Sequence, residues 1–135
     1  MLKRFENSRA MSAGYCAAWN AHAPLVVAAH FTDDARMQVN KGDLILGRDA
    51  IAQVAAGFFD DFPDLQFQMT DLRSGGARTL FKWSWVGTSR QTGNRCRLAG
   101  WDEWLLTSDH LIEQAHCWFD TKDIVRQIAG KARIS

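Results

Sequence analysis

At Leu65 the periodicity of the sequence changes from helical to alternating, and this change decides what the chain can fold into. LQFQMTDL puts Leu65, Phe67 and Met69 on one face and Gln66, Gln68 and Thr70 on the other, the pattern of a strand with one buried side. Ser74-Gly75-Gly76 then turns the chain into RTLFKWSWVGTSR, where Phe81, Trp83 and Trp85 share a face opposite Lys82 and Ser84. A turn near Gln91-Thr92-Gly93-Asn94 leads into RCRLAGWDEWLL, and Thr107-Ser108-Asp109 leads into HLIEQAHCWFD. Strands joined by such short connections pair antiparallel, so this half is expected to be a meander with one face in need of cover.

The first half supplies that cover. Phe5, Met11, Tyr15 and Trp19 fall on related faces and predict a helix from residue 2 to about 20. PLVVAAHF, with Pro24 in its first turn, predicts a second short helix. ARMQVNKGDLILG predicts two short strands around Asn40-Lys41-Gly42-Asp43, with Gly42 expected to supply a positive φ. RDAIAQVAAGFFDDF predicts a third helix, ended by Pro63. The expected fold class is α+β: about three N-terminal helices on a strongly curved, mostly antiparallel sheet, in one domain covering residues 1–135. Gly87 and Gly100, inside strand-like runs, are expected bulges that curl the sheet into a cone.

Charge and composition narrow the function. Lys plus Arg number 16 against 15 Asp plus Glu, and neither sign is clustered, so no nucleic-acid footprint is formed. The longest apolar run, APLVVAA, is too short to span a bilayer, and the N-terminal segment has no uninterrupted apolar stretch. Cys16, Cys96 and Cys117 are odd in number and lack metal or redox spacing. A soluble, cytoplasmic protein with free thiols is expected, with neither membrane nor nucleic acid as partner. The unusual count is six Trp and eight Phe against a single Tyr. Indoles are bulky and want a partner for their N–H when buried, and a cavity wall accommodates many of them together.

Within the last strand, HCWFD places His116, Trp118 and Asp120 on one face and Cys117 and Phe119 on the other. Such a trio reads either as the polar floor of a cavity or as a solvated strand end. A carboxylate walled by indoles loses hydration, and its pKa rises toward the range of a general base. Asp120 reads also as a cap for TKDIVRQIAG, His116 as a hydrogen-bonded core histidine, and Tyr15 with Trp19 as a packing stripe.

The order of elements, with GRDAI at 47–51, FPDL at 62–65, WSWVGT at 83–88 and a last strand ending in Asp120, resembles the SnoaL-like polyketide cyclases of the nuclear transport factor 2-like (cystatin-like) superfamily. The resemblance covers nearly the whole chain. It implies that Asp120 is the general acid/base inside the cone and that Tyr15 is a pocket hydroxyl, with Trp19 one turn later. His116 joins Asp120 only by sharing its face.

No dinucleotide, P-loop, zinc-protease or serine-hydrolase motif is present. Two classes of function remain. One is a cofactor-independent cyclase or isomerase that moves a proton on a hydrophobic, polyketide- or steroid-like carbonyl compound. The other is a non-catalytic ligand-binding or dimerisation module. The expected catalytic residues are Asp120 and His116, and the expected substrate contacts are Tyr15, Trp19, Trp83, Trp85, Trp101 and Trp118, with no metal. A homodimer through the outer sheet face is expected, as is an apolar cavity of roughly 300 Å³ or more, the size of a drug-sized ligand site.

Overall fold

The computed structural model describes residues 5–130. Asn7 accepts the Ala10 N–H on its side chain and so caps the first helix, α1 (Ser8–Asn20). The helix therefore starts at Ser8 rather than at residue 2; residues 2–4 of the expected helix lie outside the described residues. Pro24 opens a single turn, α2 (Pro24–Ala28), and Phe31, expected to be helical, instead begins β1 (Phe31–Val39). The remaining elements are β2 (Leu44–Leu46), α3 (Gly47–Asp61), β3 (Gln66–Gly75), β4 (Arg78–Thr88), β5 (Arg95–Leu106), β6 (Ile112–Phe119) and α4 (Thr121–Ala129).

The six strands form one sheet in the order β2-β1-β6-β5-β4-β3. Strands β3 to β6 are the antiparallel meander that the alternation predicts, and the β1–β2 hairpin joins it through a parallel pairing of β1 with β6. In the hairpin turn it is Asn40, at φ 52°, that takes the left-handed conformation, and not Gly42. Asn tolerates that region because its side chain bonds locally. Here the Asn40 Oδ1 accepts the Phe119 N–H, and its Nδ2 donates to Thr121 Oγ1, tying the hairpin to the end of β6.

Gly87 and Gly100 are not bulges. Both stay in regular register, opposite Cys96 and Trp83. The register shifts fall elsewhere, between Phe31 and Arg36 on β1, between Met69 and Asp71 on β3 and between Leu105 and Leu106 on β5. What Gly100 provides is clearance: a Cβ there would collide with the Trp118 carbonyl oxygen and lie 2.7 Å from the Trp83 ring. The strand can accept an indole laid across it only because it has no side chain at that point.

The inner face of the sheet and the helices share one apolar core that includes Met11, Tyr15, Phe31, Ile51, Phe81 and Trp104. Asn20 fixes the helical cover to the sheet edge. Its Nδ2 donates to the Phe67 carbonyl at 2.8 Å and its Oδ1 accepts the Phe67 N–H at 2.7 Å. These two bonds satisfy backbone groups of edge strand β3 and hold the C-terminal end of α1 over the widest cluster of aromatic rings. No described helix is long and apolar enough to cross a membrane.

Candidate functional site

Along β5 the even-numbered residues face inward: Cys96, Leu98, Gly100, Asp102, Trp104 and Leu106 are all buried. Asp102 is thus a carboxyl set into an apolar layer, with 4% of its surface exposed. Burial disfavours its charged form and pushes its pKa up to about 6. The Trp83 indole offsets part of that cost by donating to Oδ1 at 2.9 Å, and the Cys117 thiol adds a smaller stabilisation of the charge. Trp83 reaches Asp102 across the clearance at Gly100, its own register partner.

Tyr15 rises from α1 toward the same place. Burial, reinforced by the charge of Asp102, holds its phenol well above the usual range, and the Cys117 thiol is raised by burial in the same way. Both therefore remain protonated near neutrality, while the carboxyl changes charge near pH 6. The Trp19 Nε1 is buried on this wall beside the Tyr15 hydroxyl, with which it makes no well-formed hydrogen bond.

These groups line a narrow cavity of about 40 Å³ between α1, α3 and the sheet. Its half-buried members Val39, Val54, Phe58 and Phe119 form the rim. The cavity lies where the sequence predicts it, but its size corrects the expectation of about 300 Å³. The rings fill the cone themselves: Phe67 stacks between Trp19 at 5.2 Å and Trp83 at 5.8 Å, and Phe81 stacks on Trp104 at 4.4 Å.

Of the residues singled out from sequence, Tyr15, Trp19, Trp83 and Trp85 are on the cavity wall. Asp120, His116, Trp118 and Trp101 are not. Asp120 is exposed and its Oδ1 accepts the Asp123 N–H at 3.1 Å, which makes it the N-cap of α4. His116 lies on the outer sheet face, where its Nε2 bonds the Asn40 carbonyl oxygen at 2.7 Å and its ring stacks on Trp118 at 4.0 Å. Trp118 in turn stacks on Trp101, which is 41% exposed. The physical reason is strand parity. Ala115, Cys117 and Phe119 are the inward residues of β6, so His116 and Trp118 face out, and Asp120 lies past the strand at the start of α4.

Asp102, Phe58 and Phe119 are among the cavity-lining residues that the sequence reading did not single out. The signal for Asp102 was present: in RCRLAGWDEWLL it is the one charged residue on the otherwise apolar face of the alternation. Among the described residues no three His, Cys, Asp or Glu side chains are grouped to hold a metal ion.

A family model described as a SnoaL-like domain matches residues 13–114. No curated protein matches the chain. Among solved structures, a Catenulispora acidiphila protein with a ketosteroid isomerase-like fold, in complex with trimethylamine, is similar at TM-score 0.79 and 13% identity, over 88% of this chain and 92% of that one. A Xanthomonas campestris protein provisionally described as a polyketide cyclase is similar at TM-score 0.76 and 17% identity, over 93% of this chain and 98% of that one. A cystatin-fold protein from Novosphingobium aromaticivorans is similar at TM-score 0.67 and 16% identity, over 82% of this chain and 97% of that one. The curved sheet and its helices therefore have the ketosteroid isomerase-like, cystatin-like fold.

Proposed function

The chain belongs to the SnoaL-like domain family, and from that membership we propose that it is a cofactor-independent cyclase or isomerase that moves a proton on a hydrophobic carbonyl compound, with Asp102 as the proton carrier. The observation that carries this reading is a fully buried carboxyl, titrating at about 6, on the wall of an apolar cavity. General bases work best with a pKa near the working pH, and desolvation has moved Asp102 to that range.

In this reading the ionised carboxylate takes the proton alpha to the carbonyl. The C–H electron pair moves onto the carbonyl oxygen as an enolate, and the Tyr15 hydroxyl and the Trp19 indole N–H are the donors nearest to hand for that charge. Protonated Asp102 then returns the proton at another carbon; in ring closure the enolate carbon instead bonds to a second carbonyl carbon, the π pair of that carbonyl moves onto its oxygen, and the alkoxide takes the proton from Asp102. A single ring, or the reacting end of a longer polyketide- or steroid-like skeleton, is what the narrow cavity suits.

The test is solvent exchange. In D2O, cyclopentanone should exchange its alpha protons faster with the protein than in buffer, and Asp102→Asn should lose about a hundred- to ten-thousand-fold of that gain. An unaccelerated parent, or an Asn variant equal to it, would move the assignment to a non-catalytic binding module. That second reading has one observation in its favour, the small size of the cavity.

The outer sheet face carries the exposed Trp101 and a groove of about 580 Å³ bordered by Arg36, Arg78 and Glu103, charges of both signs that suit a two-fold pairing of copies. Light scattering at micromolar concentration should give a homodimer. The unpaired thiols of Cys16, Cys96 and Cys117 suit a reducing, cytoplasmic setting.

A further inference from the structure

The cavity wall bears one carboxyl, no Lys, Arg or His among the described residues, and aromatic rings over most of the rest. We infer that the cavity is a receptor for a small alkylated ammonium group, with Asp102 as counter-ion and the rings of Trp19, Phe58, Trp83, Trp85 and Phe119 as its cage. This goes beyond the proposed proton transfer, since it concerns the charge of an occupant and requires no turnover, although it uses the same Asp102 geometry.

Charge is the first argument. No element around Asp102 brings a cation to its charge: α1 presents Tyr15 and β6 the Cys117 thiol, both neutral, β4 offers only the Trp83 N–H, β1 Met37 and Val39, and α3 Val54 and Phe58. A buried carboxylate without a cation is costly, and an occupant of opposite charge removes that cost. The rings act in the same sense, because an aromatic face carries negative potential and attracts a cation placed over it. Around Phe58 the planes of Trp19, Trp85 and Phe119 stand at 64°, 69° and 75°, an arrangement of walls rather than a stack.

Size and hydration choose the kind of cation. The space of about 40 Å³ is small, which favours a compact group and not a polycycle. A metal ion or a primary ammonium would need several oxygen acceptors to replace its water, and the wall offers a single carboxyl. Methylated nitrogen has little hydration to lose and presents apolar surface to the rings. Such an ion would therefore compete with a neutral carbonyl substrate for the same space.

Calorimetric titration of the full chain with tetramethylammonium chloride, set against neutral tert-butyl alcohol, tests this. The ion should bind at pH 8, weaken about tenfold per pH unit below pH 6 as Asp102 takes up its proton, and weaken at least tenfold in Asp102→Asn. The alcohol should bind weakly and respond to neither change. The pH series on the parent needs no variant, so the result does not hang on how the Asn protein folds. No binding of the ion at pH 8, binding indifferent to both pH and Asp102→Asn, or tighter binding of the alcohol would overturn the inference. A parent that exchanges cyclopentanone protons yet ignores the ion would sink the cation site and leave the proton-transfer reading intact.

Discussion

Trp83 donates its indole N–H to Asp102 from the neighbouring strand, although the residue opposite Trp83 in register is Gly100 and the residue opposite Asp102 is Phe81. The indole leans two residues along β5 to make this bond. Because the bond favours the charged carboxylate, Trp83→Phe should raise the Asp102 pKa further above 6. Carbon-13 NMR of the aspartate carboxyls across pH 4–9 reads this directly, and an unchanged or lower midpoint would show that the indole does not tune the acid.

Gly100→Ala is expected to be costly despite its small size. The new methyl meets the backbone carbonyl of Trp118 and the Trp83 ring together, so neither can yield without moving a strand or the indole. Overpacking of this kind costs about 1–3 kcal/mol. Denaturant unfolding should show that loss, with a shift in tryptophan emission as the Trp83 environment changes.

Asp102→Asn should change the pH dependence of stability. The carboxyl titrates at about 6 when folded, against 3.8 as the ordinary value, so above pH 6 it is charged in both states and its burial costs about 3 kcal/mol. Between pH 6 and pH 4 the folded state takes up the proton first, and the parent regains that stability. Below pH 4 both states are protonated and the cost is gone. Urea titrations should therefore show the Asn variant at its greatest relative advantage at pH 8, with the advantage lost by pH 4. Equal differences at both pH values would contradict the placement of this charge.

Asp120→Ala should cost about 1 kcal/mol, the usual loss for removing an N-cap carboxylate, and leave cyclopentanone exchange unchanged. A fall in exchange comparable to that of Asp102→Asn would return the chemistry to the end of β6.

The period change at Leu65, the helical spacing of Tyr15 and Trp19, and the shared face of Phe81, Trp83 and Trp85 were legible because each is a local pattern with a burial consequence. They fixed the sheet, the cover and one wall of the cavity in the sequence itself. The buried carboxyl of Asp102 was readable in principle but was lost to parity. HCWFD puts its polar members on one face, yet which face turns inward is set by Cys117 and Phe119, and apolar residues win that contest on burial. The parallel placement of β1 beside β6 was not legible, since no local pattern encodes which distant strand fills a sheet edge. The filling of the cone was not legible either. Ring counts do not reveal whether aromatic side chains border a void or stack across it.

That pairing of β1 with β6 also orders events in time. Asn40 and His116, bonded at the junction of the two strands, stand 76 residues apart in the chain. On a ribosome β1 emerges long before its partner, and the meander β3–β6 can assemble by short-range contacts while β1 waits with an open edge. Met37 and Val39 come from β1, and Cys117 and Phe119 from β6, so the cavity has no complete wall until this last long-range closure takes place. Nascent chains halted before residue 112 should carry α1 and Asp102 yet possess no site at all.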